Sequence, residues 1–263
     1  MSSSMNHREA PALGVLVLSC LAVMLPACKS NHPSRFTGPP YDPSPRVYEC
    51  RHVPAGAITV DGTVNEPAWQ QAETMMGFLT AGRNPTGVVH QTECRIAWDD
   101  TCLLVGFRCF NSQVKSAGTR RDHPVWDGES AELMLCPKGA DKPYFEIDVN
   151  PSNTLYDTHI LSWHWVDLSA NWQKWAEGYN PNVRSATGRI TSPDGKLLGW
   201  SAELAIPFSE LNGTTTPANG KVWRFNSARA AVKTDGSIEF SCWEPTFGDF
   251  HRPFTYPSLR FIK

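Results

Sequence analysis

Thr92-Glu93-Cys94-Arg95-Ile96-Ala97-Trp98 leads through Asp99-Asp100-Thr101 into Cys102-Leu103-Leu104-Val105-Gly106-Phe107-Arg108-Cys109-Phe110. Two apolar-rich runs on either side of a polar tripeptide read as an antiparallel hairpin. The same grammar recurs along the chain. Residues 131–136 and 144–149 are two further strands. In the second, Phe145, Ile147 and Val149 would face a core, and Tyr144, Glu146 and Asp148 the other way, because side chains alternate along a strand. Strands are also predicted over 183–190, 197–206, 221–232, 238–243 and 258–262, with Asp194-Gly195 and Asp235-Gly236 marking turns between them. Upstream, the β-rich run Ala57-Ile58-Thr59-Val60 enters the turn dipeptide Asp61-Gly62. Asn65 is placed to cap a short helix at Glu66-Pro67-Ala68-Trp69, with proline in the first turn. No long stretch carries a clean 3.6-residue period, and there is no internal repeat. Many short strands with regular turns predict an all-β fold, an antiparallel sandwich with few short helices.

Composition narrows the partners. The formal net charge of −2 over 263 residues gives no electrostatic case for nucleic acid, which calls for a basic patch. A hydrophobic fraction of 41 % suffices for a sizeable core. The excess is in tryptophan, with 10 residues, which suggests a large core, an aromatic binding surface, or both.

The first 28 residues read as an export address. Residues 1–10 are polar, and residues 13–25 form an apolar run too short to span a bilayer comfortably, as in a signal peptide. Leu25-Pro26-Ala27-Cys28 resembles a bacterial lipobox, which would make Cys28 the lipidated first residue of a membrane-anchored protein; ordinary cleavage after Ala27 is the alternative. Residues 29–46 are rich in Pro, Ser and Gly and read as a flexible tether. Lys29 is not the aspartate that retains some lipoproteins at the inner membrane, which points to the outer membrane. The folded domain is then 47–263. Of the eight cysteines, Cys20 and Cys28 lie in the leader. The other six show neither a C-x-x-C pair nor a histidine at zinc spacing, so in an exported chain one or more disulfides are expected. Cys94 and Cys109, on neighbouring strands, are the first pair to test; any of the six could remain free.

Five segments together resemble family 9 carbohydrate-binding modules. They are Ile58-Thr59-Val60-Asp61-Gly62 continuing to Trp69 and Ala72; Ala97-Trp98-Asp99-Asp100 with Leu103 to Phe107; Trp126-Asp127-Gly128-Glu129-Ser130-Ala131-Glu132-Leu133; Trp200 to Phe208; and Leu259 to Lys263. The resemblance implies a non-catalytic β-sandwich that grips a sugar between two aromatic rings and reads its hydroxyls with polar groups. It places Trp126 as one clamp aromatic and Phe250 as the other, with Phe247 and Phe254 as competitors, and Glu132 as a hydroxyl-binding acid. Glu146 falls where the family carries a sugar-reading arginine, so a donor-only group has become an acceptor. Family members that hold structural calcium make Asp61, Asp99, Asp127 and Asp148 candidate oxygen ligands, although no calcium-loop spacing is present. The implied role is carbohydrate binding at the cell envelope in support of polysaccharide or oligosaccharide catabolism, with glycoside hydrolases as partners.

The remaining signals divide. Trp69 and Trp98 sit inside structural motifs and read as core. Trp163, Trp165, Trp172 and Trp175 form either a further wall of the sugar site or the cover of one sheet; on a strand, Trp163 and Trp165 would share a face. His159 and His164 lack a well-spaced partner and read as hydrogen-bonded or solvated. There is no G-x-S-x-G elbow, P-loop or H-E-x-x-H, so no enzyme is expected. Two alternatives stand. One is an envelope interaction module that has kept the fold and lost the sugar. The other is a haem-binding, DOMON-like electron-transfer domain, for which Met75, Met76 and Met134 would be the axial candidates.

Overall fold

The computed structural model describes residues 46–140, 142–162, 164–211 and 214–263. The leader, Cys28, nearly all of the tether and Trp163 lie outside them. Among the described residues there are twelve strands: β1 (Val47–His52), β2 (Leu79–Thr80), β3 (Thr92–Trp98), β4 (Cys102–Phe110), β5 (Ser130–Cys136), β6 (Tyr144–Val149), β7 (Leu155–Ile160), β8 (Arg184–Thr191), β9 (Leu197–Pro207), β10 (Val222–Val232), β11 (Ile238–Cys242) and β12 (Ser258–Ile262). One helix, α1 (Trp165–Glu177), joins β7 to β8.

The hydrogen-bonded order is β7-β6-β5-β10-β12-β1-β3-β4-β9-β8, with β11 and then β2 added beside β10. Every pairing is antiparallel except at β1, which runs parallel to both β12 and β3. The decisive hairpin pairs Thr92 with Cys109 through to Trp98 with Leu103. Its turn is tied by Asp99, whose Oδ1 accepts hydrogen bonds from the Thr101 and Cys102 amides at 2.7 and 2.8 Å. That is the local economy that makes aspartate a turn residue.

The sheet curls on itself into a sandwich. Ala131, Leu133, Leu135, Phe145, Ile147 and Val149 from one half meet Ile96, Trp98, Val105, Phe107, Trp200 and Leu204 from the other in a single buried cluster. A second cluster on the outer face of β3, β4 and β9 holds Trp69, Ala97, Leu104 and Ala205. Trp69 and Trp98 are both fully buried, as their motifs implied. Trp69 donates its indole N–H to Glu203 Oε1 at 2.9 Å, and Glu203 Oε2 accepts the Asp61 and Gly62 amides at 3.0 and 2.9 Å. Gly62 has a φ of +90°, and a Cβ there would lie 2.5 Å from the Thr187 backbone, so only glycine fits this turn.

Several expectations are corrected. Residues 57–60 form no strand: the edges of β3 are taken by β1 and β4, and Ile58 instead drops its side chain into the second cluster. The short helix is a 3-10 turn over Pro67–Gln71; its cap position is Glu66, not Asn65, and no side chain caps it. Residues 165–177 are helical, not extended, and Trp163, the other member of the expected pair, lies outside the described residues. Leu168, Trp172 and Ala176 recur at four-residue steps, the period of a helix face, and pack toward the sheet. The expected disulfide is absent: all six described cysteines are free and buried. Cys94 and Cys109 do lie on adjacent strands, but Cys94 faces Phe107 and Cys109 faces Thr92. Such diagonal neighbours sit about 7–8 Å apart, beyond the reach of an S–S bridge.

Candidate functional site

β5 is buried on both faces, and this two-sidedness builds the site. Ala131, Leu133 and Leu135 enter the sandwich core. Glu132, Met134 and Cys136 point outward, onto the face shared with Tyr144, Glu146 and Asp148 of β6. In register, Glu132 lies opposite Asp148 and Met134 opposite Glu146. Helix α1 and the segment 244–256 cover this outer face, and between them a cleft of about 620 Å³ stays open.

Carboxylates form the cleft floor. Carboxylate oxygens of Glu132, Glu146 and Asp148 all lie within 4.8 Å of one another. Glu132 accepts the Ser130 hydroxyl at 2.8 Å. Asp148 is fully buried, and neither of its carboxylate oxygens has a hydrogen-bond partner. Burial pushes the Glu132 carboxyl up to about 7, against the pull of the Ser130 hydrogen bond. Burial, then repulsion from Glu132, raises Glu146 well above the carboxylate range; Asp148 is raised by burial, then by Glu146 and Glu132. His251 Nε2 stands 3.9 Å from Glu146 Oε1. Burial lowers that imidazole to about 4, so the two meet as neutral groups, not as an ion pair. Its Nδ1 shares a hydrogen bond of 2.9 Å with the Tyr144 hydroxyl.

Aromatic rings form the walls. Trp126 stands edge-on to Tyr156 at 4.8 Å and to Trp172 at 5.6 Å. Phe250 meets Phe240 at 6.0 Å. Tyr156 belongs to β7 and Phe240 to β11, the two ends of the run β7-β6-β5-β10-β11, so the two aromatic groups flank the acidic floor from opposite sides. Trp126 is carried on a 3-10 turn over Val125–Asp127 closed by Gly128. A Cβ at Gly128 would lie 2.7 Å from both Lys115 O and Ala117 N, so glycine lets this turn press against the neighbouring loop.

All four residues singled out in the sequence, Trp126, Glu132, Glu146 and Phe250, line this one cleft. Phe247 and Phe254 do not. Of the tryptophan-rich segment, Trp172 lines the cleft beside Leu168 and Ser169, while Trp175 packs in the cluster beneath α1. Sequence reasoning missed Tyr156, Phe240, Asp249 and His251. Tyr156 lies on β7, where Asp157, Thr158 and His159 interrupt the apolar residues and hide the strand from a reading by pattern. Of the calcium candidates, Asp61 and Asp127 are exposed in separate turns and Asp99 is spent on its own turn. Among the described residues, Asp148 alone of the four joins a group of converging acids. His159 stacks on Phe145 at 4.5 Å and His164 precedes α1. For haem, Met75 lies in the main core and Met134 beneath the cleft face, in separate clusters, and Met76 is 58 % exposed, so the three do not converge on one site.

Two acids of the family-like motifs are structural. Glu129 is fully buried, accepts the Trp200 indole N–H at 2.9 Å and the Asn111 amide at 2.6 Å, and pairs closely with buried Arg229. Glu203 holds Trp69 and the Asp61-Gly62 turn.

No protein-family model and no curated protein matches this chain. Solved structures do. A family 9 carbohydrate-binding module from Caldicellulosiruptor kristjanssonii in complex with cellotriose is 17 % identical, with a TM-score of 0.54, over 81 % of this chain and 93 % of that one. The module from the same organism in complex with glucose gives 16 %, 0.56, 80 % and 95 %. A protein of Bacteroides uniformis to which carbohydrate binding is provisionally ascribed gives 18 %, 0.59, 83 % and 100 %. The chain therefore has the fold of family 9 carbohydrate-binding modules.

Proposed function

We propose that this protein binds carbohydrate, without catalysis, in the cleft between Trp126 and Phe250. One observation carries the reading: two aromatic groups flank a polar floor inside a cleft of about 620 Å³. A pyranose ring has apolar C–H faces that flat aromatic side chains bury, and a hydroxyl rim that needs polar partners; pockets of this size and lining are typical small-ligand sites. The likeness to sugar-complexed modules supports the same reading. The acids do not suit glycoside hydrolysis, which needs two carboxyl groups on either side of the scissile bond. Glu132 and Glu146 rise side by side from neighbouring strands of one floor.

The leader, Cys28 and the Pro-rich tether support a lipid-anchored location at the cell envelope, on the outer membrane. There the domain would hold oligosaccharide or polysaccharide ends for glycoside hydrolase partners. Membrane fractionation checks the anchor: the wild-type chain should sediment with membranes and Cys28→Ala should not.

Calorimetry of the purified chain against cello- and xylo-oligosaccharides, with their end-reduced forms alongside, tests the site. Binding by the wild-type chain that is strongly weakened in Trp126→Ala is the expected outcome. A folded chain that binds no glycan across a broad array would overturn the proposal.

A further inference from the structure

The floor of the cleft carries a surplus of negative groups that the protein does not balance. Three carboxylates converge within 4.8 Å, and among the described residues that line the cleft there is no Lys or Arg. Like charges so close repel strongly in a water-poor pocket. Buried polar groups are almost always hydrogen-bonded, yet fully buried Asp148 has a partner on neither oxygen. His251 is the nearest base, and burial keeps it neutral. Burial raises all three carboxyls, and for Glu146 and Asp148 repulsion from the neighbouring acids adds to it.

We infer that the cleft is built for a carbohydrate carrying a free protonated amine, with the ammonium group seated over Glu132 and Glu146 and with buried Asp148 behind them. This rests on the reading of the cleft as a sugar site. An ammonium presents several N–H donors and a full positive charge, matching the two acid acceptors that line the cleft and the third acid buried behind them; a sugar hydroxyl presents one donor and no charge. The walls favour the same ligand, because Trp126, Trp172, Tyr156 and Phe250 offer π-faces that attract an alkylammonium and bury the C–H surface beside it. A hard divalent cation is less well served. Calcium takes about 6–8 oxygen ligands, and beyond the three acids the cleft supplies rings in their place.

The test is calorimetry of the full chain, slightly below neutral pH, with length-matched oligomers of glucosamine, N-acetylglucosamine and glucose, and with calcium chloride alone. The glucosamine series should bind about tenfold tighter than either neutral series, the scale of charge-assisted hydrogen bonding. Glu146→Gln and Asp148→Asn, near-isosteric and uncharged, should each bring the three series close to parity; having both keeps the test open if one variant fails to fold. Equal binding of all three series by the wild-type chain would overturn the inference and leave the carbohydrate reading in place. Binding of none would overturn both. Calcium that binds and is not displaced by the glucosamine oligomer would also overturn it and assign the floor to a metal.

Discussion

Glu132 shows how one residue ties stability to the cleft. Its carboxyl ordinarily titrates near 4.5, and burial moves it to about 7 in the fold. Between those values the folded chain keeps a proton that the unfolded chain has lost. The unfolded state then binds fewer protons, so stability falls as pH rises through this window and levels off above about 7. The cost from Glu132 is about 3 kcal/mol. Glu146 and Asp148, raised for the same reasons, act in the same direction. Thermal melts should therefore show a higher Tm near pH 5 than near pH 8, by several degrees for a domain of this size. Glu132→Gln should flatten that dependence; an unchanged pH profile in the variant would place the titration elsewhere.

Trp126 belongs to the same scale. Half-buried and edge-on to two rings, it contributes contact area on both sides: to Tyr156 and Trp172, and to the cleft. Trp126→Ala should cost affinity by about one to two orders of magnitude, the worth of a buried aromatic contact, measured by titrating tryptophan fluorescence or heat. A Phe250→Ala variant should weaken binding too, whereas Phe254→Ala, outside the cleft and 51 % exposed, should leave it unchanged.

At the scale of the element, β5 and α1 explain what was legible in the sequence. β6 alternates, so its faces could be assigned from pattern alone with Glu146 outward; β5 does not, because Met134 and Cys136 share the outward face with Glu132, and Glu132 was reached through the family-like motif instead. α1 was illegible for a physical reason. Its tryptophans favour extended chain, and Ser169 and Asn171 are weak helix formers, so local propensity argued against the helix that packing against β7 stabilises. Tyr156, the partner of Trp126, was lost with β7, whereas Trp172, a candidate wall in the sequence, reaches the cleft on a helix and not on a strand. The turn into β5 carries the strongest stability prediction. Glu129 satisfies Trp200, Asn111 and the Val232 amide and balances buried Arg229. Glu129→Ala leaves that guanidinium buried and unpaired, which should cost about 3–5 kcal/mol in denaturant unfolding. Removal of Glu49, in an exposed pair with Arg51, should cost less than about 1 kcal/mol.

At the scale of the whole molecule, an export leader with six scattered cysteines favours one or more disulfides, but the fold uses all six as small core residues. Each is buried. Free cysteine packs as a compact hydrophobe, and two such strands need not set their thiols opposite one another. Here the register decides: Cys94 is opposite Phe107 and Cys109 opposite Thr92, an offset that no S–S bond spans without moving the backbone. Burial raises Cys109 and Cys136 to about 12 and Cys242 to about 11, and raises Cys50 and Cys94 as well. At neutral pH these five are thiols, and only thiolates react readily. The native domain should therefore resist a thiol-specific chromogenic reagent over hours, and all six thiols should titrate once denaturant is added. A reductant should leave the Tm unchanged, because no crosslink restrains the unfolded chain. A drop of several degrees on reduction would mean that two of these strands shift enough in the oxidised protein to bring a pair together, and Cys94 with Cys109 would be the pair to map.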